Sequence, residues 1–289
     1  MNKIPSESAF LFPGQGSSVA AAEPIVAEFC GELADHCRST VGEDLFARAG
    51  ESTRFAQPAI FLASLAGWRS LEAPRPVAFA GHSLGELSAL AAAGILDPHE
   101  ALELVILRGA LMAEAADRAR DGGMLAVLKA TVEQAQQLAD THGVTLANDN
   151  APGQVVLSGR ASKLQEAARE AREIGVRAIV LDVAGAFHSP DMASACASFE
   201  EALSRATVRD TGATVISGLT ARPFEDVRGQ LVAALTAPVR WRETMTTLHD
   251  AGARAFVDVG PDAVLAKLVP RNLPDFKGIT IEELHGVHA

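Results

Sequence analysis

The chain contains no tyrosine, and only 5% of its 289 residues are aromatic. A surface of rings for stacking nucleobases or sugars is therefore not expected. Basic residues are scarce as well: 25 Lys and Arg stand against 36 Asp and Glu, a formal charge of −11. A chain that acidic repels polyanions, which argues against nucleic acid and against an anionic membrane surface as partners. The three cysteines, Cys30, Cys37 and Cys196, are odd in number and lack C-x-x-C spacing. They suit a reducing compartment, and exclude a disulfide framework and a zinc site, so no metal is expected. No uninterrupted apolar run approaches the eighteen residues of a membrane span. Met1–Ser8 is polar with Lys3 as its only base, and the apolar run Ala9–Phe12 is too short for a signal sequence. A soluble, cytoplasmic protein is expected.

What is present is globular: 48% of residues are hydrophobic and 21% charged. That is enough for a sizeable core in one large α/β domain, or in a main domain carrying a smaller one. Ala9–Phe12 reads as a buried strand stopped by Pro13-Gly14-Gln15-Gly16, and helical stretches follow near 20–38 and 57–70. Pro76–Ala80 is a second strand, broken by Gly81–Gly85 before the helical run Glu86–Ala93; a further helix begins around Pro98 and runs to about Arg120. Such alternation predicts a mostly parallel sheet covered by helices. From Gly123 to Gly185 the rhythm changes. Strand Met124–Leu128, helix Thr131–His142, strands Val144–Ala147 and Gln154–Ser158, helix Ser162–Ile174 and strand Val176–Val183 give the β-α-β-β-α-β order of the ferredoxin-like motif. Asn148–Gly153 reads as the turn between its middle strands. The expected organisation is thus a larger α/β domain over residues 1–122 and 186–289, with a small ferredoxin-like domain inserted at 123–185. Phe256–Val259 is expected as the final buried strand, followed by a mobile tail.

Gly81-His82-Ser83-Leu84-Gly85 is a G-x-S-x-G sequence with an apolar strand before it and a helix after it, the context of a nucleophile elbow. The flanking glycines are needed because Cβ atoms there would collide in a tight turn. The N–H that follows the serine opens a helix and can hold an oxyanion. A serine of this kind needs a base, and there are eight histidines. His36, His99, His142 and His249 lie in helices without special neighbours, and His285 and His288 lie in the tail. His82 adjoins the serine but is expected to point away along the strand. His188 lies where the chain leaves the inserted domain, at the mouth of an interdomain cleft, and is the candidate base. Arg108 sits amid Leu104, Val105, Leu107, Leu111 and Met112. From the residues alone it could snorkel, pair with Glu86, or serve as a fork for a carboxylate.

These motifs together resemble the malonyl-CoA:acyl-carrier-protein transacylases over nearly the whole chain, which implies a hydrolase-like α/β domain, mostly parallel in its sheet, with a ferredoxin-like insertion. The resemblance rests on Phe12-Pro13-Gly14-Gln15-Gly16-Ser17, Gly81-His82-Ser83-Leu84-Gly85-Glu86, Arg108-Gly109-x-x-Met112 and Phe187-His188-Ser189, in that order. Gln57-Pro58-Ala59, Asn150-x-Pro152-x-Gln154-Val155-Val156 and Pro238-Val239-x-Trp241 add to it. It implies that Ser83 is the nucleophile and His188 its general base, with the N–H groups of Gln15 and Leu84 as oxyanion hole. It implies further that a backbone carbonyl near Arg240 orients the histidine, that Arg108 clamps the malonyl carboxylate, and that Met112, Phe187 and Asn150 line the substrate site. The partners implied are malonyl-CoA and an acyl carrier protein, without a cofactor. A polyketide synthase carrier, a malonate decarboxylase carrier subunit, water in a thioester hydrolase, or a non-catalytic carrier-binding role remain as alternatives. The sequence departs from the family pattern at Ser17-Ser18, at a missing Gly-Met soon after, and at Asp262 where a glycine is common.

Overall fold

The computed structural model describes residues 4–16, 19–42, 44–71 and 76–286. The departure at Ser17-Ser18 lies outside the described residues, as does His288. The chain opens with β1 (Ser8–Phe12), α1 (Glu23–Val41), α2 (Thr53–Arg69), β2 (Ala78–Gly81), α3 (Gly85–Ala92) and α4 (Pro98–Ala119). Then come β3 (Gly122–Leu128), α5 (Val132–His142), β4 (Thr145–Ala151), β5 (Gln154–Arg160), α6 (Ala161–Glu173) and β6 (Arg177–Leu181). The last part is α7 (Ala193–Arg205), β7 (Val215–Ile216), α8 (Val227–Ala233), α9 (Trp241–Asp250), β8 (Ala255–Asp258), α10 (Val269–Asn272), β9 (Gly278–Thr280) and α11 (Ile281–His285).

Five strands form a parallel sheet in the order β7-β2-β1-β8-β9. Every residue of β1, β2 and β8 is buried, because helices cover both faces. Phe10, Phe12 and Phe79 face the core shared with α1, α2 and α4, whereas Leu11, Ala80 and Phe256 face Trp241, Met245 and Leu248 of α9. The second sheet, β4-β5-β3-β6, is antiparallel, and its elements follow the predicted β-α-β-β-α-β order. Period-two alternation divides its faces. Leu125, Val127, Val155 and Leu157 pack under α5 and α6, while Met124 and Val156 join the large core on the other side.

Three expectations are corrected. Asn148–Asn150 do not form a turn: β4 runs through to Ala151 with two register shifts, leaving only Pro152-Gly153 at the bend. Their polar side chains are there for partners. The Asp149 carboxylate accepts from Arg242 of α9 at 2.8 Å, and Val239 bridges to Asn148, so β4 is tied to the large sheet's helical cover. The tail is structured through Gly286. β9 extends the parallel sheet, Thr280 and Glu283 form a capping box on α11, and the His285 ring is within hydrogen-bond distance of Ser70 Oγ at 3.2 Å. β8 is therefore not the last strand.

The strand ends β1 and β2 converge so closely that only glycine fits. A Cβ on Gly85 would lie 1.9 Å from the Phe12 carbonyl oxygen, and one on Gly81 would lie 1.9 Å from the Gly85 carbonyl carbon. The obstacle in each case is backbone, which cannot swing aside. Gly85→Ala is thus expected to destabilise the protein by about 3 kcal/mol, the upper end of the usual overpacking cost. Chemical denaturation of the two proteins, compared at equal slope, checks this.

Candidate active site

The site forms at the carboxyl ends of β1 and β2, where open parallel sheets bind their ligands. Ser83 follows β2 by two residues and takes φ +55°, a left-handed conformation that a serine adopts only where its surroundings enforce it. The His82 N–H bonds the Phe12 carbonyl at 2.9 Å, and the Gly85 N–H bonds the His82 carbonyl at 2.9 Å. The turn is fixed on both sides, and Ser83 Oγ is pushed outward into a cavity of about 340 Å³.

His188 also holds a left-handed φ, +56°, in the loop after β6. Its Nε2 lies 2.8 Å from Ser83 Oγ. Its Nδ1 donates to the carbonyls of Ala234 at 2.9 Å and Ala237 at 3.1 Å. Carbonyls only accept, so Nδ1 carries the hydrogen and Nε2 is left as the acceptor for the serine proton. The expectation that the Arg240 carbonyl fills this role is corrected. That carbonyl opens α9 and is spent on the Thr244 N–H at 2.9 Å and Thr244 Oγ1 at 3.0 Å, as an N-cap carbonyl must be. Ala234 instead caps the C-terminus of α8, where carbonyls lack intrahelical partners and carry partial negative charge. The histidine is 4% exposed. Burial first, then the positive charge of Arg108, brings its pKa down to about 3, so it is neutral throughout the working range.

Arg108, on α4, is 4% exposed and donates from Nη2 to Ser83 Oγ at 3.2 Å and from Nη1 to Gln57 Oε1 at 2.8 Å. It neither snorkels nor forms a direct bridge to Glu86. Burial lowers its pKa to about 10, partly offset by the Glu86 charge, and it stays cationic at neutral pH. Gln57 on α2 is held in turn by Thr53 Oγ1 at 3.4 Å and Met112 Sδ at 3.3 Å, and Thr53 Oγ1 donates to the Gly109 carbonyl at 2.7 Å. The guanidinium is thus aimed from α4 by a rigid contact with α2.

Gln15, Gly16, Met124, Asn148, Asn150, Val156, Phe187 and His188 line the cavity around Ser83. A neighbouring cavity of about 520 Å³ shares Gln15 and Phe187 and extends to Phe46, Thr53, Ile60 and Asp262. No hydrogen bond among the described residues occupies the N–H of Gln15 or of Leu84. Met112 is not among the residues lining either cavity; it is buried behind Gln57. His82 does not point away, since its Nε2 donates to Asn150 Oδ1 at 2.8 Å and its ring packs on Trp241 with centroids 5.5 Å apart. Sequence reasoning assigned no role to Gln57, His82, Asn148, Ala234 or Ala237. A glutamine inside an otherwise apolar helix was the available signal for Gln57, but backbone acceptors leave none.

A family model described as acyl transferase domain matches residues 9–288. The polyketide biosynthesis protein ThaF of Burkholderia thailandensis is 38% identical over 94% of this chain, which spans only 25% of that larger protein. The malonyl CoA-acyl carrier protein transacylase of Bacillus subtilis is 34% identical, with 96% of this chain and 94% of that one covered. A malonyl-transacylase solved in complex with its type II polyketide-synthase acyl-carrier protein superimposes with a TM-score of 0.85 at 30% identity, over 97% of this chain and 100% of that one. Because the family match runs from the first buried strand past the last helix, through every residue around Ser83, the chain belongs to the acyl transferase domain family.

Proposed function

We propose that this protein moves a malonyl group from malonyl-CoA to the phosphopantetheine thiol of an acyl carrier protein through a malonyl-Ser83 intermediate. The observation that carries the reading is Arg108. A buried cation directed at the nucleophile's oxygen matches a carboxylate one methylene from the thioester carbonyl, a charge that a neutral acyl group does not offer. The malonyl-transacylases among the relatives support the same donor, and the carrier complex supports the same class of acceptor. Identity to a polyketide biosynthesis protein supports a polyketide carrier as the second reading of the acceptor.

His188 Nε2 takes the Ser83 proton as Oγ attacks the thioester carbonyl. The oxyanion that forms is met by the N–H groups of Gln15 and Leu84. Collapse expels the CoA thiolate, which leaves with the proton from His188, and the carrier thiol repeats the steps in reverse. Exchange of an acyl group between thiols is redox-neutral and asks for no cofactor. The low basicity of His188 has a consequence for selectivity. Arg108 is one cause of it, and a malonyl carboxylate seated on the guanidinium cancels that field. The correct substrate therefore strengthens the base, whereas an acetyl group leaves it weak.

Three outcomes follow. Ser83→Ala, incubated with malonyl-CoA and weighed intact, gains no malonyl mass while keeping its melting profile; an adduct on the variant would place the nucleophile elsewhere. For Arg108→Ala, the ratio of kcat/KM for malonyl-CoA to that for acetyl-CoA drops by about 10- to 200-fold, the worth of one charge-assisted contact of about 1.5–3 kcal/mol. An unchanged ratio would make Arg108 structural. Finally, the pH profile of kcat/KM stays level on the acid side from pH 8 to about 5, because a group titrating near 3 remains the free base there. An imidazole of ordinary pKa near 6.5 would lose about 30-fold at pH 5.

A further inference from the structure

Glu86 is a buried carboxyl group close to the nucleophile in the chain, and the transfer chemistry makes no use of it. It lies in the first turn of α3, three residues after the nucleophile, and is 3% exposed. A carboxyl in that position costs stability unless its oxygens are matched. Its Oε1 accepts the Gly218 N–H at 2.7 Å and lies 3.3 Å from Ser217 Oγ. Ser217 and Gly218 come directly after β7.

The contact leads toward the base. The Gly218 carbonyl accepts the Arg240 N–H at 2.8 Å. Arg240 closes the segment 234–240, which carries both carbonyls that hold His188 Nδ1. The far side of that segment is pinned to β4, where the Val239 N–H bonds the Ala147 carbonyl at 2.9 Å and the Asp149 N–H bonds the Val239 carbonyl at 2.9 Å. Packing at the junction is close: a Cβ on Gly218 would stand 3.5 Å from Val239 Cγ1, 3.6 Å from Glu86 Oε1 and 3.6 Å from the Gly81 carbonyl oxygen. One oxygen thus joins the element bearing the nucleophile to the element aligning its base.

We propose that Glu86 is a positioning residue for acyl transfer, clamping the segment that orients His188 onto the helix that follows Ser83. The inference rests on the reading of Ser83 and His188 as the reacting pair. The clamp is an N–H bonded to an oxygen, which a neutral carboxyl or a carboxamide provides as well as a carboxylate. Two carbonyls without a carboxylate hold the imidazole only through the backbone that carries them. That backbone in turn needs a fixed reference on the nucleophile's side. Arg108 is the charged group whose field reaches Glu86, but it hydrogen-bonds Gln57 and Ser83 rather than Glu86, so the clamp does not depend on it.

The test compares Glu86→Gln and Glu86→Ala with the parent protein. Glu86→Leu, which fills the volume without an acceptor, replaces the alanine variant should that not fold. Acylation by malonyl-CoA is followed by intact mass for kcat and KM, and the His188 Nδ1–H resonance by NMR on folded protein. Without the acceptor, kcat falls by about 10²-fold, as for a reacting group displaced by an ångström. KM is unchanged, and the Nδ1–H resonance shifts or is lost to exchange. Glu86→Gln restores both. A folded variant lacking the acceptor with parental kcat overturns the proposal. So does a loss that glutamine fails to rescue, which would assign the effect to charge, or a change confined to KM, which would assign it to Arg108 and substrate. Should the parent itself fail to acylate, the transfer reading falls, while the resonance still decides whether Glu86 holds His188.

Discussion

The approach of two strand ends, with nothing but hydrogen between them, is the constraint on which the rest of the molecule depends. At β1 and β2 the carbonyl of Phe12 occupies the space that a side chain on Gly85 would take, and Gly85 does the same to Gly81. Ser83 is forced into a left-handed turn between them, with its oxygen directed out of the sheet. The same closeness starts α3 at once, so that Leu84, the residue after the serine, stands at a helix N-terminus. Gln15 arrives from β1 on the other side. On the proposed reading, the placing of the N–H groups that would hold an oxyanion follows from how tightly the sheet closes.

Electrostatics then adjusts a pair of residues that packing has already brought together. Arg108 places a positive charge in a buried site that also contains His188. Burial first, and then that charge, hold the pKa of His188 far below its usual value. In a hydrolase with a carboxylate behind the histidine the opposite would hold, since the carboxylate would raise the imidazole's basicity. Here the groups behind it are neutral carbonyls at and just past the end of α8, which fix the tautomer and raise the imidazole's basicity too little to offset burial and Arg108. On the proposed reading, a negative charge carried by the substrate would raise it further, coupling recognition at Arg108 to reactivity at Ser83.

The antiparallel sheet serves the site through its less conspicuous face. Met124 and Val156 alternate with residues buried under α5 and α6, and they emerge as a wall of the cavity around Ser83. β4 contributes Asn148 and Asn150 because it continues through residues that read as a turn. Asn and Asp favour turns when their side chains bond their own backbone. Here those side chains have partners on other elements, His82 for Asn150 and Arg242 for Asp149, so the local preference is overridden.

The sequence by itself determined what depends on short spans of chain: the alternation of strand and helix, the β-α-β-β-α-β order, and the elbow with its glycines on either side of Ser83. His188 and Arg108 were legible as candidates because a histidine at a domain re-entry and an arginine in an apolar helix each carry a visible cost. What only the tertiary structure decided is the partner of each group. The acceptor for His188 Nδ1 is a pair of backbone carbonyls about fifty residues away, and every residue has such a carbonyl, so no side chain marks Ala234 or Ala237. Gln57 aims Arg108 across 51 positions, and His82 turns to Asn150 across 68. Such contacts arise when parallel strands and their crossover helices bring distant segments to one edge, and pattern along the chain carries no record of which distant group will arrive there.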